Sequence, residues 1–198
     1  MWVHRSGELY KDRPIVVYEY QKGRDHKIPL EFYKDYKGIL VTDGLQQYHL
    51  VDKLLPDVIN ANCWAHVRRD LTEAVKAADK KDSNSVRQSV AYQTLQKIGE
   101  FYNLDTELKK LSSSERLQKR QEVKKPLVEE FFVWVKQQVL ECAVPPKSKT
   151  AQGLNYIINQ KSYLKVFLTD GDIPIDNSAS ERSIRTFCVG KKNWMFHN

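Results

Sequence analysis

Cysteine is scarce in this 198-residue chain: Cys63, Cys142 and Cys188 are odd in number and far apart. That excludes a disulfide framework and points to a reducing, cytoplasmic setting. Glycine (8 residues) and proline (7 residues) are also few, which excludes collagen-like and Pro/Gly-rich disordered chains. No apolar run approaches about 18 residues, so no segment reads as a membrane span. The opening Met1-Trp2-Val3-His4-Arg5 lacks the apolar stretch of a secretory signal. No nucleophile elbow, phosphate-binding glycine loop or dinucleotide fingerprint occurs. Acids are outnumbered, 25 Asp plus Glu against 32 Lys plus Arg, and the net charge of +7 favours a polyanionic partner. What is present is 41% hydrophobic and 11% aromatic residues, enough at this length to bury a core without a staple.

The first third alternates between strand and helix patterns. Met1 to Arg5 reads as a strand, and β-branched and aromatic residues make Pro14 to Tyr20 another. Pro29 to Tyr36 has helical spacing, and Gly38 stops it. Ile39 to Thr42 is a short apolar strand ending at the Asp43-Gly44 turn signal. Gln46 to Leu55 reads as a helix and Val58 to Cys63 as a strand, completing an α/β order. From Trp64 the texture is helical throughout. Helices are expected over Trp64 to Ala78, Ser85 to Tyr102, a charged stretch opened by the Ser112-x-x-Glu115 capping box, Ala151 to Leu168, and Ser178 to Cys188. Pro126 marks a kink or a new start, and Pro145-Pro146 an end. Residues 80–170 read as a helical insertion between a front part, 1–79, and a closing part, 171–198.

Few residues stand out chemically. Asp43 ends an apolar strand, where a carboxylate can hold a metal, although Asp-Gly is also ordinary turn chemistry. Glu181 reads equally as the partner of Ser178 in a capping box or as a ligand near a helix start. Arg182, Arg185, Lys191 and Lys192 follow it with no acid, a surround suited to phosphate. Cys63-Trp64-Ala65-His66 has no second pair to complete a zinc site. His66 follows a strand end, and Arg68 and Arg69 add cations beside it. Phe131, Phe132 and Trp134 read as core.

Taken in order, four short motifs resemble one family. Val41-Thr42-Asp43-Gly44, Cys63-Trp64-Ala65-His66-Val67-Arg68-Arg69, Ile175-Asp176-Asn177-x-x-x-Glu181-Arg182 and Gly190-Lys191-Lys192-Asn193-Trp194 look like the catalytic domain of bacterial insertion sequence 66 family transposases. The front end fits as well, so the resemblance covers essentially the whole chain. It implies a ribonuclease-H-like α/β fold with a DDE metal triad. Asp43 would be the second acid and Glu181 the third, 138 positions apart with the helical insertion between them. Cys63, His66, Asn177 and Trp194 would lie near the site. The implied cofactor is Mg²⁺ or Mn²⁺, as two ions about 4 Å apart that serve phosphoryl transfer. The implied partner is DNA, held at its backbone by Arg68, Arg69, Arg182, Arg185, Lys191 and Lys192. The first acid of the triad belongs on a strand ahead of Trp2, and only Met1 stands there. Asp12 matches no triad position. The resemblance therefore implies a fold lacking its first strand, two open sheet edges that invite self-association, and a truncated transposase inactive on its own.

Overall fold

The computed structural model describes residues 1–9, 14–79, 83–141 and 144–193; at 79, 83, 84, 186 and 191–193 it defines the backbone alone. Asp12, Cys142 and most of the expected loop at 79–84 lie outside the described side chains.

Among the described residues four short strands form two separate sheets. Strand β1 (Trp2–Arg5) pairs antiparallel with β2 (Val16–Glu19), Trp2 opposite Glu19 and Arg5 opposite Val16. After α1 (Lys27–Tyr33), β3 (Gly38–Thr42) pairs in parallel with β4 (Val58–Asn62), Thr42 opposite Asn62. A parallel pair needs a crossover, which α2 (Gln46–Leu54) supplies. In each sheet every strand has one partner. Helix α1 stops earlier than its spacing predicts, because the Tyr36 amide turns back to the Tyr33 carbonyl at 2.9 Å.

The rest is helical: α3 (Trp64–Asp79), α4 (Ser83–Val86), α5 (Val90–Leu108), α6 (Ser113–Lys119), a π-helical turn over Arg120–Lys124, α7 (Lys125–Leu140), α8 (Lys149–Asn159), α9 (Lys161–Leu164), a 3₁₀ turn over Val166–Leu168, and α10 (Ser178–Asn193). Two expected helices are broken. Ser85 to Tyr102 splits at Ser89, whose hydroxyl accepts the Tyr92 amide and caps α5. Ala151 to Leu168 splits at Gln160, which leaves helical geometry (ψ 9°) while its side chain accepts a hydrogen bond from Asn62 Nδ2 at 2.9 Å. Of the two readings of Pro126, the new start holds. It falls in the first turn of α7, where its missing N–H is not needed. The Ser112/Glu115 capping box forms as read.

Trp64 centres the core. It is wholly buried, donates its indole N–H to the Leu164 carbonyl at 2.9 Å, and is ringed by Phe101, Phe131, Phe132 and Phe167 at 5.2–6.3 Å. Val67 and Leu71 from α3 share that core with Ile98, Val128, Val135, Leu154 and Ile157. Burying one such side chain contributes roughly 1.5–3 kcal/mol. The core thus joins α3 to α5, α7 and α8. It ends at Ile175, next to the start of α10.

A buried charge cluster fixes the segment leading to α10. Asp105 Oδ1 accepts from Lys124 Nζ at 2.7 Å and Arg120 at 3.0 Å. Arg120 also donates to the carbonyls of Phe167 and Asp170, and Arg116 to that of Gly171. Gly171 is required there, since a Cβ would overlap the Ser113 carbonyl. No helix among the described residues is long and apolar enough to cross a membrane.

Candidate functional site

Asp43 follows directly on β3. Its Oδ1 accepts the Leu45 amide at 3.1 Å, so the turn chemistry read from Asp-Gly is real. Gly44 takes φ +80°, and a Cβ there would overlap the Tyr156 hydroxyl. Behind the turn, buried Thr42 donates to Asn60 Oδ1 at 2.9 Å and accepts the Gly44 amide at 3.3 Å. Asn60 in turn donates to Asn62 Oδ1. A chain of buried amides thereby sets the ends of β3 and β4 side by side.

Beyond β4 the backbone is stitched to the end of the chain. The Cys63 amide donates to the Thr42 carbonyl (2.9 Å), and the Trp64 amide to the Ile175 carbonyl (3.2 Å). Cys63 Sγ accepts the Asn177 amide at 3.4 Å. Burial pushes the Cys63 thiol up to about 11, so it is a structural, un-ionised group at neutral pH. These bonds bring Asp176, Asn177 and the start of α10 beside Asp43.

The capping box read at Ser178-x-x-Glu181 does not form. Helix α10 begins at Ser178 itself, one residue earlier than that box requires, and the Asn177 carbonyl accepts the amides of Ser180 and Glu181. The Glu181 carboxylate turns instead to His66, with Oε1 at 3.3 Å from Nε2. His66 is 16% exposed and Glu181 49%. Burial and then Arg69 depress the His66 pKa, outweighing the pull of Glu181, Asp43 and Asp176. The ring is therefore neutral at neutral pH. Its Nδ1 is buried without a partner.

Asp43, Asp176, Asn177 and Glu181 line one cleft of about 700 Å³. Asp176 was not singled out by the sequence reading. Its signal was its place ahead of a helix start, where its Oδ1 accepts the Ser178 amide at 2.9 Å. Tyr102 and Tyr156 were also missed. Each has one apolar neighbour and one Asn in sequence, which marks neither as a site residue, yet both hydroxyls reach this region. Burial raises their pKa values, and charges on Asp176 (Tyr102) and on Cys63 and Asp43 (Tyr156) add to it.

The expected cations divide. Arg69 is exposed beside a second cleft of about 400 Å³ that also takes in His66, Arg68, Lys76 and Glu181. Arg68 lies over the Tyr102 ring at 5.2 Å. Arg182 is paired with Glu8 at 2.6 Å, while Arg185 is exposed one turn further on. Lys191 and Lys192 lie on the last turn of α10 with side chains outside the described set, and Trp194 lies outside the described residues. Among the described residues no three His, Cys, Asp or Glu side chains stand close enough to hold a metal ion.

Comparison with known proteins gives the site its setting. Two uncharacterised proteins of Sinorhizobium fredii (strain NBRC 101917 / NGR234) match over 190 residues, which is 92% of this chain. They are y4hP, 26% identical with 34% of its length covered, and y4qI, 30% identical with 33% covered. The chain thus spans about a third of the length of these relatives. No solved structure matches. The model of the transposase IS66 family, in its DDE domain, matches residues 1–198 from end to end, and the chain belongs to that family.

Proposed function

We propose that this chain is part of an insertion-sequence transposase that cleaves and joins DNA by metal-dependent phosphoryl transfer. In this reading Asp43 and Glu181 are two of the metal-holding carboxylates, within a ribonuclease-H-like arrangement. The supporting observation is convergence. The two residues are 138 positions apart, yet they line one cleft and both act on His66. The bound ions, Mg²⁺ or Mn²⁺, would supply Lewis-acid activation of the attacking and leaving oxygens. The chain's own residues do the positioning. Neutral His66 orients Glu181. Asn177 and Cys63 fix the start of α10. Arg69 and Arg185, joined by Lys191 and Lys192, bind the DNA backbone, with Arg68 and Arg182 contributing once their present partners release them.

With Asp43 and Glu181 as its assigned ligands, and Asp176 in the same cleft engaged by the Ser178 amide, this reading predicts an inactive chain. Supercoiled plasmid incubated with the 198 residues and Mn²⁺ is expected to stay intact. Mn²⁺ is expected to bind weakly, in roughly the millimolar range, and Asp43→Asn or Glu181→Gln to abolish that binding. Nicking that depends on Asp43 would overturn the inactivity. Unchanged Mn²⁺ binding in both variants would overturn the assigned roles. A second reading, a non-catalytic DNA-binding remnant, is favoured by the lack of a three-ligand group among the described residues. It predicts DNA binding that Mn²⁺ leaves unchanged.

A further inference from the structure

Strand β2 is an edge without the usual protection. It pairs only with β1, and its apolar side chains are exposed, from Ile15 (59%) through Val16, Val17 and Tyr18 to Tyr20 (73%). Edge strands are ordinarily blunted by lysine, proline or a bulge. From Ile15 to Tyr20 there is no lysine or proline, Glu19 is the single charge, and the ladder with β1 runs without a bulge. The edge is also held in place, since the Tyr18 ring lies against Phe187 of α10 at 6.3 Å and its hydroxyl donates to the Ser183 carbonyl. The direction of its backbone groups follows from two bonds. The Ser6 amide donates to the Ile15 carbonyl at 3.0 Å, and the Ile15 amide to Ser6 Oγ at 2.9 Å. Ile15 thus turns both backbone groups toward the β1 side. Antiparallel ladders alternate, so Val17 and Glu19 do the same. Val16 and Tyr18 point the other way, and Tyr20 continues their phase. Among the described residues nothing pairs with these outward groups.

We infer that this outer edge of β2 joins two copies of the chain. The copies meet antiparallel about a two-fold axis, β2 against β2, and the two hairpins become one continuous sheet. The partner is a second copy because the edge is complementary to itself. With Tyr18 opposite Tyr18 of the second copy, Val16 faces Tyr20 and Val17 faces Glu19. That register pairs every outward group of Val16, Tyr18 and Tyr20, and no like charges meet. Sliding by two residues one way sets Glu19 against Glu19. Sliding the other way sets Tyr20 against Pro14, which has no N–H to give. Hydrogen bonding and charge therefore select the same register. The inference goes beyond the transposase reading and borrows nothing from it, since neither DNA nor metal takes part.

The test uses the full chain. A single strand edge is a small interface, so sedimentation is expected to show a monomer–dimer equilibrium with a Kd between about 10 µM and about 1 mM. Val16→Pro removes an outward amide and leaves the ladder with β1 alone. It is expected to weaken the dimer by about tenfold or more. Cross-linking reads the register independently of how that variant folds. In a Cys142→Ser, Cys188→Ser background, Cys63 stays and is buried. Tyr18→Cys then sets two thiols on strand positions about 5.5 Å apart across the axis, within reach of a disulfide. Ile15→Cys leaves them about 20 Å apart. On oxidation the Tyr18→Cys protein is expected to run as a covalent dimer and the Ile15→Cys protein as a monomer. A native chain that stays monomeric up to about 1 mM, an association untouched by Val16→Pro, or equal cross-linking of the two cysteine variants overturns the inference. No DNA or metal enters the experiment, so its failure is separate from failure of the transposase reading.

Discussion

Asp105 is a residue whose loss the fold tolerates poorly. It is 2% exposed and is the carboxylate that faces two wholly buried cations, Arg120 and Lys124. Burial pushes its pKa up, but the two cations outweigh that and hold it below the ordinary carboxylate range. Asp105→Asn leaves both cations without a counter-charge, and such a break costs about 3–5 kcal/mol. Urea unfolding of this variant is expected to show a loss of that size. Lys124 adds a pH signature. Burial depresses it to about 8 from 10.5, against the opposing pull of Asp105. Between those values the unfolded chain holds a proton that the folded chain has lost, so stability at this position rises with pH across that window. Lys124→Met removes this slope. Comparing the two proteins at about pH 8 and about pH 10 should show the native protein gaining on the variant as pH rises. Gly44→Ala should cost about 1–3 kcal/mol from its positive φ and the overlap with Tyr156. Of these residues the sequence flagged only Gly44, through the Asp-Gly turn. A buried ion cluster carries no local signature, because Asp105, Arg120 and Lys124 sit among other charges at ordinary helical spacing.

At the scale of elements, α10 decides whether the candidate site exists. It is tied to β1 by Arg5, which reaches the Ala179 carbonyl and Ser183 Oγ, and to β2 by the Tyr18 hydroxyl on the Ser183 carbonyl at 3.0 Å. Arg5→Ala is expected to speed amide exchange over 178–185 and to cost about 1–3 kcal/mol, while the Trp64 core keeps its protection. Strand and helix order through the first 64 residues was legible because apolar alternation and turn residues agree there. The Ser112 box was legible because both of its partners are local. The Ser178 box had the same letters and failed. Its Glu181 found a tertiary partner in His66, 115 positions away, which no local rule can see. The break at Gln160 has the same cause, a bond to Asn62 across 98 positions. The convergence of Asp43 and Glu181 came from the family resemblance and not from either residue's surroundings in the sequence.

For the whole molecule the net charge of +7 becomes a prediction once the cations are placed. Arg69 and Arg185 are exposed. Each phosphate contact contributes about −0.9 to the slope of log affinity against log salt. Replacing both residues by alanine should therefore flatten that slope by about 2 units in duplex-DNA titrations. A slope unchanged by the double variant would remove them from the interface. The bond between Arg5 and Ala179, 174 positions apart, also has a consequence for the order of events during synthesis. Translation at roughly 5–20 residues per second needs roughly 10–35 s to travel from one to the other. For that time the nascent β1–β2 hairpin has α1 and α2 to lie against, through His4 on Phe32 and Trp2 on Tyr48, but not α10. The helical core can close around Trp64 while the first strands, already seated on α1 and α2, wait for α10 to leave the ribosome.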